Sequence, residues 1–118
     1  MTAPPAKRAL VFFRTATGKE PVREWLLTLS QEDRLQVGYD LMRTQWRWPV
    51  GMPLCRSLGD GLWETRSTLA GNRIARVVFT SHRGVLVALT GFIKKTQTTP
   101  TAELELARRR KKELLHDE

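Results

Sequence analysis

The feature that most constrains the fold is a series of three strand-like segments in the second half of the chain, joined by short turns. The segments are LWETRSTL (62–69), NRIARVVFT (72–80) and GVLVALTGFI (84–93), with turns at 70–71 and 81–84. Their β-branched and aromatic residues are typical of strands. Connections this short join antiparallel neighbours. The sequence therefore predicts an antiparallel meander.

Two helices are predicted ahead of this meander, after a first strand at residues 7–13. Pro21 suits the first turn of the first helix, and apolar residues then recur at helical spacing as far as Leu29. The segment SQED at 30–33 resembles a capping box and predicts the start of the second helix. Pro49 ends that helix.

A last, basic helix is predicted after the meander. Thr99 and Pro100 suit its N-cap and first position, and RRRKK follows at 108–112. The Gly- and Pro-rich segment 49–61 is interpreted as an irregular connection. The order β-α-α-β-β-β-α predicts one α+β domain over residues 1–118, with an antiparallel sheet, two N-terminal helices packed on one face and a C-terminal basic helix. We expect the helices to cover one face of the sheet and leave the other face open.

Charge is distributed unevenly along the chain. The formal net charge is +8 and the pI is about 10.6, a balance that favours a polyanionic partner such as nucleic acid, or an acidic protein. Residues 65–102 contain no Asp or Glu, whereas a solvated surface usually carries both signs. The cations in this window are Arg66, Arg73, Arg76, Arg83, Lys94 and Lys95. The stretch is typical of a surface that contacts phosphate.

Several classes of protein are disfavoured by the composition. The single cysteine, Cys55, cannot form an internal disulfide and is interpreted as a packing residue of a protein in a reducing compartment. No segment is long and apolar enough for a membrane span, so we expect a cytoplasmic protein without a membrane partner. His82 and His116 lie far apart in sequence, and no spacing predicts a metal site. We therefore expect no metal and no organic cofactor.

Strand alternation suggests which charged side chains share a face of the sheet. If Trp63 packs beneath the helices, Glu64 and Arg66 point outward. In the next strand both sets of alternating residues contain apolar side chains. Their hydrophobicity therefore does not decide whether the face that carries Arg73 is buried or exposed. We assign Arg73 outward, where it would converge with Arg66 and Lys95 on a phosphodiester. The alternative is an ion pair between Glu64 and a neighbouring arginine on a solvated face.

Three segments together resemble the HigB-like branch of the RelE/ParE toxin superfamily. They are GDGLWETRS, NRIARVVF and LTGFIKKTQTTP, which match a Gly-Leu-Trp-Glu-x-Arg strand, an Arg-Ile strand and a Gly-Phe-x-Lys-Lys-Thr-x-x-Thr-Pro segment before a basic helix. The resemblance implies a small RelE-like fold and a toxin of a bacterial type II toxin–antitoxin system. Many members cleave mRNA in the ribosomal A site. A ribose 2′-OH attacks its own 3′-phosphate, without a metal, and leaves a cyclic phosphate and a 5′-OH.

The resemblance also implies roles for individual residues. Arg73 matches a phosphate-stabilising arginine, and Lys95 matches a cation at the end of the fourth strand, so both are candidate catalytic residues. Glu64 falls where some relatives carry a catalytic lysine, and is a candidate general base. Arg66 closes the Trp-Glu-x-Arg motif as a phosphate-binding or structural residue. Further candidate phosphate-binding residues are Lys94, Arg76 and Arg83. The chain lacks the Tyr or His that several relatives place near the C-terminus as acid or base.

The partners implied are a cognate antitoxin and mRNA on the ribosome. We expect a toxin that is monomeric alone and part of a hetero-oligomer with its antitoxin. Two other functions remain open: a non-catalytic toxin that acts on a protein target such as gyrase, and an inactive member that only binds its antitoxin.

Overall fold

The computed structural model describes residues 8–94 and 98–116 of the chain. Its elements in chain order are β1 (Leu10–Phe12), α1 (Pro21–Thr28), α2 (Gln31–Arg47), β2 (Cys55–Gly59), β3 (Leu62–Leu69), β4 (Arg73–His82), β5 (Val85–Lys94) and α3 (Thr101–His116). The α+β class and the three helices are confirmed.

The five strands form one mixed sheet in the order β1-β5-β4-β3-β2. Strands β3, β4 and β5 are the predicted antiparallel meander. Strand β1 pairs with β5 in parallel, with Leu10 opposite Leu86. A parallel pair needs a long crossover connection, and here the two helices and three further strands lie between β1 and β5.

Strand β2 lies in the segment that we expected to be irregular. It pairs antiparallel with β3 through a two-residue connection at Asp60 and Gly61, whose φ angles are 55° and 76°. Positive φ at both positions is the geometry of a tight hairpin turn, and Asp-Gly is a favoured sequence for it. The Asp-Gly pair was therefore the signal that predicts this hairpin.

Helices α1 and α2 pack on one face of the sheet. Ser30 caps α2, with its Oγ accepting a hydrogen bond from the backbone N–H of Asp33 at 3.2 Å, as the capping box predicts. The buried residues of this layer are Val22, Val37, Leu41, Leu69, Ala75, Val77 and Ala88.

Helix α3 packs on the other face, so the expectation of a fully open face was wrong. Ala107 of α3 is buried against Leu62, Val78 and Phe92 of the sheet. The guanidinium Nη1 of Arg110 donates to the carbonyl of Leu89 at 2.6 Å, and burial lowers the pKa of this arginine. Part of the basic segment of α3 therefore fastens the helix to the sheet.

Within residues 8–94 and 98–116, no helix combines the length and the hydrophobicity needed to cross a bilayer.

Candidate functional site

Three of the predicted site residues lie together on the sheet face that also carries α3. The register of β3 and β4 sets Arg66 opposite Arg76 and Glu64 opposite Val78, so these side chains share a face. Glu64 and Arg76 are fully buried, at 0% exposure. The Arg66 side chain keeps 14% of its surface exposed. Arg66 is therefore the member of this trio that can reach a ligand directly.

The chain segment before α3 is attached to this trio. The hydroxyl of Thr99 donates to Glu64 Oε2 at 2.8 Å, and Arg76 Nη1 donates to the carbonyl of Thr98 at 3.1 Å. Arg66 Nε lies 4.0 Å from Glu64 Oε1. A buried carboxylate is tolerated only with such partners, because its desolvation costs several kcal/mol. Glu64 thus holds both Arg66 and the start of the last helix.

The electrostatics of this cluster favour an anion. Burial lowers the pKa of Arg76, the Glu64 carboxylate acts in the opposite direction, and the guanidiniums of Arg66 and Arg56 lower the pKa further. Because arginine stays charged in proteins, the cluster contains three positively charged guanidiniums, those of Arg56, Arg66 and Arg76, and one carboxylate, that of Glu64. The excess of positive charge attracts groups such as phosphate.

Two exposed cations extend the cluster across the sheet. Arg56 in β2 lies opposite Glu64, and Lys94 at the end of β5 lies opposite Ile74. We call Arg56, Arg66, Arg76 and Lys94 the basic sheet face. Lys95, a predicted catalytic residue, lies outside the described residues.

Arg73 does not join this face, and its outward assignment was wrong. Its guanidinium forms a bidentate ion pair with Asp33 of α2, with Nη1 to Oδ2 at 2.8 Å and Nη2 to Oδ1 at 3.1 Å. Its Nε donates to the carbonyl of Ala70 at 2.8 Å. The hydrogen bond from Arg73 holds the pKa of the Asp33 carboxyl below its ordinary value.

The physical reason for this error lies in the alternation of β4. Arg73 shares its face with Ala75 and Val77, which are buried against α1 and α2. The opposite set, Arg76 and Val78, faces α3. Because helices cover both faces, both sets contain apolar residues, and hydrophobicity alone could not choose between them.

Arg83 is also separate from the basic sheet face. It occupies the turn after β4 with φ of 50°, seven positions along the chain from Arg76. At the rise of a strand this places the two backbones roughly 20 Å apart. The structure therefore does not bring Arg83 to the predicted site.

Two groups at the site were missed by sequence reasoning. Arg56 fell in the segment interpreted as irregular. The Asp60-Gly61 hairpin by itself would pair Arg56 with Thr65, and the register shift between Ser57 and Gly59 is what sets it opposite Glu64. Thr99 was interpreted only as a helix cap, and no local pattern indicates that its hydroxyl binds a carboxylate 35 positions away.

A polar cleft of about 230 Å³ opens beside Arg66, between α2 and the edge of β3. Asp40 in its wall accepts hydrogen bonds from Gln36 and from Arg43, each at 3.0 Å. Arg43 and Arg66 thus both line a recess that continues the cationic surface around the edge of the sheet.

Two other kinds of chemistry, catalysis by a cysteine thiol and metal binding, find little support among the described residues. Cys55 is fully buried, with its sulfur 3.5 Å from the hydroxyl of Thr44, and burial raises the pKa of the thiol. A neutral, enclosed thiol is a poor nucleophile, which supports the packing interpretation. In residues 8–94 and 98–116, no three His, Cys, Asp or Glu side chains are grouped as metal ligands would be.

Comparison with known protein families identifies the family of this chain. Residues 24–112 match the family described as phage-derived protein Gp49-like (DUF891). The chain belongs to the Gp49-like family. This is a toxin-like family of type II toxin–antitoxin systems, of RelE/HigB-like type, and it suggests an antitoxin as partner. No curated protein matches the chain.

Proposed function

We propose that this Gp49-like chain is the toxin of a type II toxin–antitoxin pair and that it cleaves mRNA on the ribosome. The 2′-OH of a ribose attacks the adjacent phosphodiester, and the products are a 2′,3′-cyclic phosphate and a 5′-OH. Loss of message inhibits translation and arrests growth. The observation that carries this proposal is the basic sheet face, a cluster of cations around one buried carboxylate in a member of a toxin-like family.

Arg66 is assigned the contact with the scissile phosphate. Its guanidinium is partly exposed, and it lies beside Glu64, which restricts its position. A planar guanidinium donates two parallel hydrogen bonds to phosphate oxygens. Such a preorganised donor matters most when negative charge builds up on the pentavalent phosphorus.

Glu64 and Arg76 are assigned positioning roles. Glu64 is enclosed beneath Thr99, so its carboxylate orients Arg66 and retains the segment before α3. This replaces the general-base role that the resemblance implies. Arg76 adds positive charge from within the sheet and binds the carbonyl of Thr98.

Lys94 and Lys95 are assigned to neighbouring phosphates of the RNA. Lys94 is exposed at the end of β5, and Lys95 follows it in the sequence. Point charges of this kind hold the RNA backbone in register without reading its sequence. With several cations already in place to stabilise the transition state, we propose that the reaction needs no metal.

The test is translation of a defined mRNA in a purified bacterial system, with and without this protein. We expect cuts within codons, mapped by primer extension, and 5′-OH ends that accept phosphate from a polynucleotide kinase. The same mRNA without ribosomes should remain intact.

An intact message, at a protein concentration that stops growth of the producing cells, would overturn the proposal. A gyrase supercoiling assay on the same preparation then tests the non-catalytic alternative.

A further inference from the structure

The polar cleft beside Arg66 forms where strand β3 extends beyond its neighbour β2. Strand β2 begins at Cys55, opposite Thr65, and the backbone N–H of Arg66 donates to the carbonyl of Leu54 at 2.9 Å. Strand β3 runs on to Leu69, so its last residues lie past this contact. We call this cleft the edge recess. It is lined by Gln36, Asp40, Arg43, Pro53, Arg66 and Thr68.

Asp40 in the wall of the edge recess is a buried carboxylate whose hydrogen bonds stay within α2. It is 3% exposed, and among the described residues its side chain pairs with Gln36 and Arg43 of the same helix. Asp33, by contrast, joins α2 to the sheet through Arg73. Burial of a carboxylate is costly, and a pairing within one helix adds no link between elements. What the Asp40 pairing does is fix the Gln36 amide and the Arg43 guanidinium at the recess.

The groups that Asp40 holds offer a defined hydrogen-bonding pattern. Gln36 donates through its amide nitrogen, so its amide oxygen Oε1 remains as an acceptor. Arg43 uses Nη1 for Asp40 and has further N–H donors in the same plane. Its guanidinium carbon lies 5.7 Å from the centre of the Tyr39 ring, a cation–π contact that helps to orient this plane. The Arg43 side chain keeps 34% of its surface exposed, so it can reach a ligand.

We propose that the edge recess binds one base of the mRNA next to the scissile phosphate, and that it selects guanine. This inference rests on the proposed function, because it presupposes RNA at Arg66. Arg66 belongs both to the basic sheet face and to the wall of the recess, so a nucleotide whose phosphate contacts Arg66 has its base within reach of the recess. A volume of about 230 Å³ accommodates one purine base and a few waters, and is too small for a second nucleotide.

Guanine complements the groups of the edge recess better than the other bases do. Its O6 and N7 are adjacent acceptors that match the two donors of an arginine fork, here that of Arg43. Its N1–H and N2 amino groups are donors for Gln36 Oε1 and the Thr68 hydroxyl. Adenine carries an amino donor in place of O6, which would face the donors of Arg43. Pro53 gives the flat face of the base an apolar surface to pack on.

The experiment lets two messages compete for cleavage in one purified bacterial translation reaction. The messages differ at one nucleotide beside the cut, which is guanine in one and another base in the other, first on the 5′ side of the cut and then on the 3′ side. We measure the ratio of their initial cleavage rates, which does not depend on the fraction of folded protein. The variants are Arg43→Ala, Arg43→Lys and Gln36→Met. The matched control is Arg47→Ala, an exposed arginine one turn further along α2 and outside the recess.

We expect the parent to cleave the guanine message about 10- to 100-fold faster at one of the two positions, the discrimination given by one good bidentate contact. Arg43→Ala and Arg43→Lys should each bring the ratio close to one, because lysine keeps the charge beside Asp40 and lacks the fork. Gln36→Met should lower the ratio less, since it removes one acceptor and leaves the fork. Arg47→Ala should keep the ratio of the parent.

A message with 7-deazaguanine at the preferred position tests the contact at the level of one atom. This base has a C–H group in place of N7 and so offers the arginine fork one acceptor instead of two. The parent should cleave this message about tenfold more slowly than the guanine message. Arg43→Ala should cleave the two messages alike, because the donors that read N7 are gone.

A parent ratio near one at both positions, or a preference for a base other than guanine, refutes this inference, while the observed cleavage leaves the proposed function standing. A guanine preference that Arg43→Lys retains, or that Arg47→Ala loses equally, also refutes the edge recess as the site that reads the base. If the parent leaves every message intact on ribosomes, the proposed function fails and this inference fails with it.

Discussion

At the scale of single residues, the Arg73–Asp33 pair joins the start of β4 to the first turn of α2. Two guanidinium nitrogens each donate to a different carboxylate oxygen, a geometry in which charge and directionality reinforce each other. Asp33 also lies in the first helical turn, where a carboxylate is favoured by the helix dipole. Arg73 therefore acts as a structural link between the sheet and the helical layer.

This pair gives a prediction for stability and its dependence on pH. Arg73 lowers the pKa of Asp33 in the folded chain, so the stabilisation is present above the unfolded pKa of about 4 and is lost as the pH falls through the folded value. We expect Arg73→Ala to lower the melting temperature at pH 7. Its effect should shrink steadily below about pH 4.

A double-mutant cycle with Asp33→Asn isolates the interaction. The second substitution should cost little once Arg73 has been replaced, and Arg73→Lys should restore only part of the stability because lysine lacks the bidentate fork. Strict additivity, or a melting temperature of Arg73→Ala equal to that of the parent, would show that the pair does not hold the two elements together.

At the scale of elements, the contact of α1 with β5 depends on a glycine. A β-carbon at Gly91 would lie 2.4 Å from Cε3 of the Trp25 ring, well inside contact distance. The ring of Trp25 therefore lies directly on the strand backbone. Any side chain at position 91 must displace the Trp25 ring or move α1 away from the sheet.

We expect Gly91→Ala to destabilise the protein by about 1–3 kcal/mol, the usual cost of overpacking a core. Chemical denaturation measures the change. Gly38→Ala in α2 is the matched control, since its β-carbon meets open space and should stabilise the protein by up to about 1 kcal/mol.

Combining Gly91→Ala with Trp25→Leu should cost less than the sum of the two single changes, because the smaller side chain leaves room for the methyl group. Equal destabilisation by the two glycine substitutions would show that the loss of glycine itself, and not the clash with Trp25, is responsible.

At the scale of the whole molecule, the elements predicted from the sequence agree with the structure where local sequence patterns determine them. Several predicted features depend only on neighbours in sequence, and all of them are present: Pro21 at the start of α1, the Ser30 cap of α2, the apolar spacing of both helices and the short turns of the meander. Whether a side chain of the sheet is buried or exposed depends instead on which helix covers its face. Sequence patterns at Arg73 and Arg76 could not settle this, because α3 and the α1–α2 layer bury both faces of β4.

The candidate site was predictable in part for the same reason. In β3, Glu64 and Arg66 lie on the face opposite Trp63, and they share that face as strand alternation predicts. The contacts that bury Glu64 come from Thr99, a long-range partner that alternation cannot reveal. The Glu64 carboxylate, predicted to be solvated, is therefore buried. In our proposal the cations around it, and not Arg73, bind the phosphate.

The most direct test of the central claim is the single-turnover rate of mRNA cleavage on ribosomes by variants at Arg66. We expect Arg66→Ala to slow cleavage about a hundred- to thousandfold, the cost of one preorganised donor to the transition state. Arg66→Lys should recover only part of the rate, since it keeps the charge near Glu64 and loses the fork. Arg23→Ala, an exposed arginine of α1 that pairs with Glu20 at 3.9 Å, should cleave like the parent. Folded Arg66→Ala protein that cleaves at the parent rate would contradict the assignment of the basic sheet face as the catalytic site.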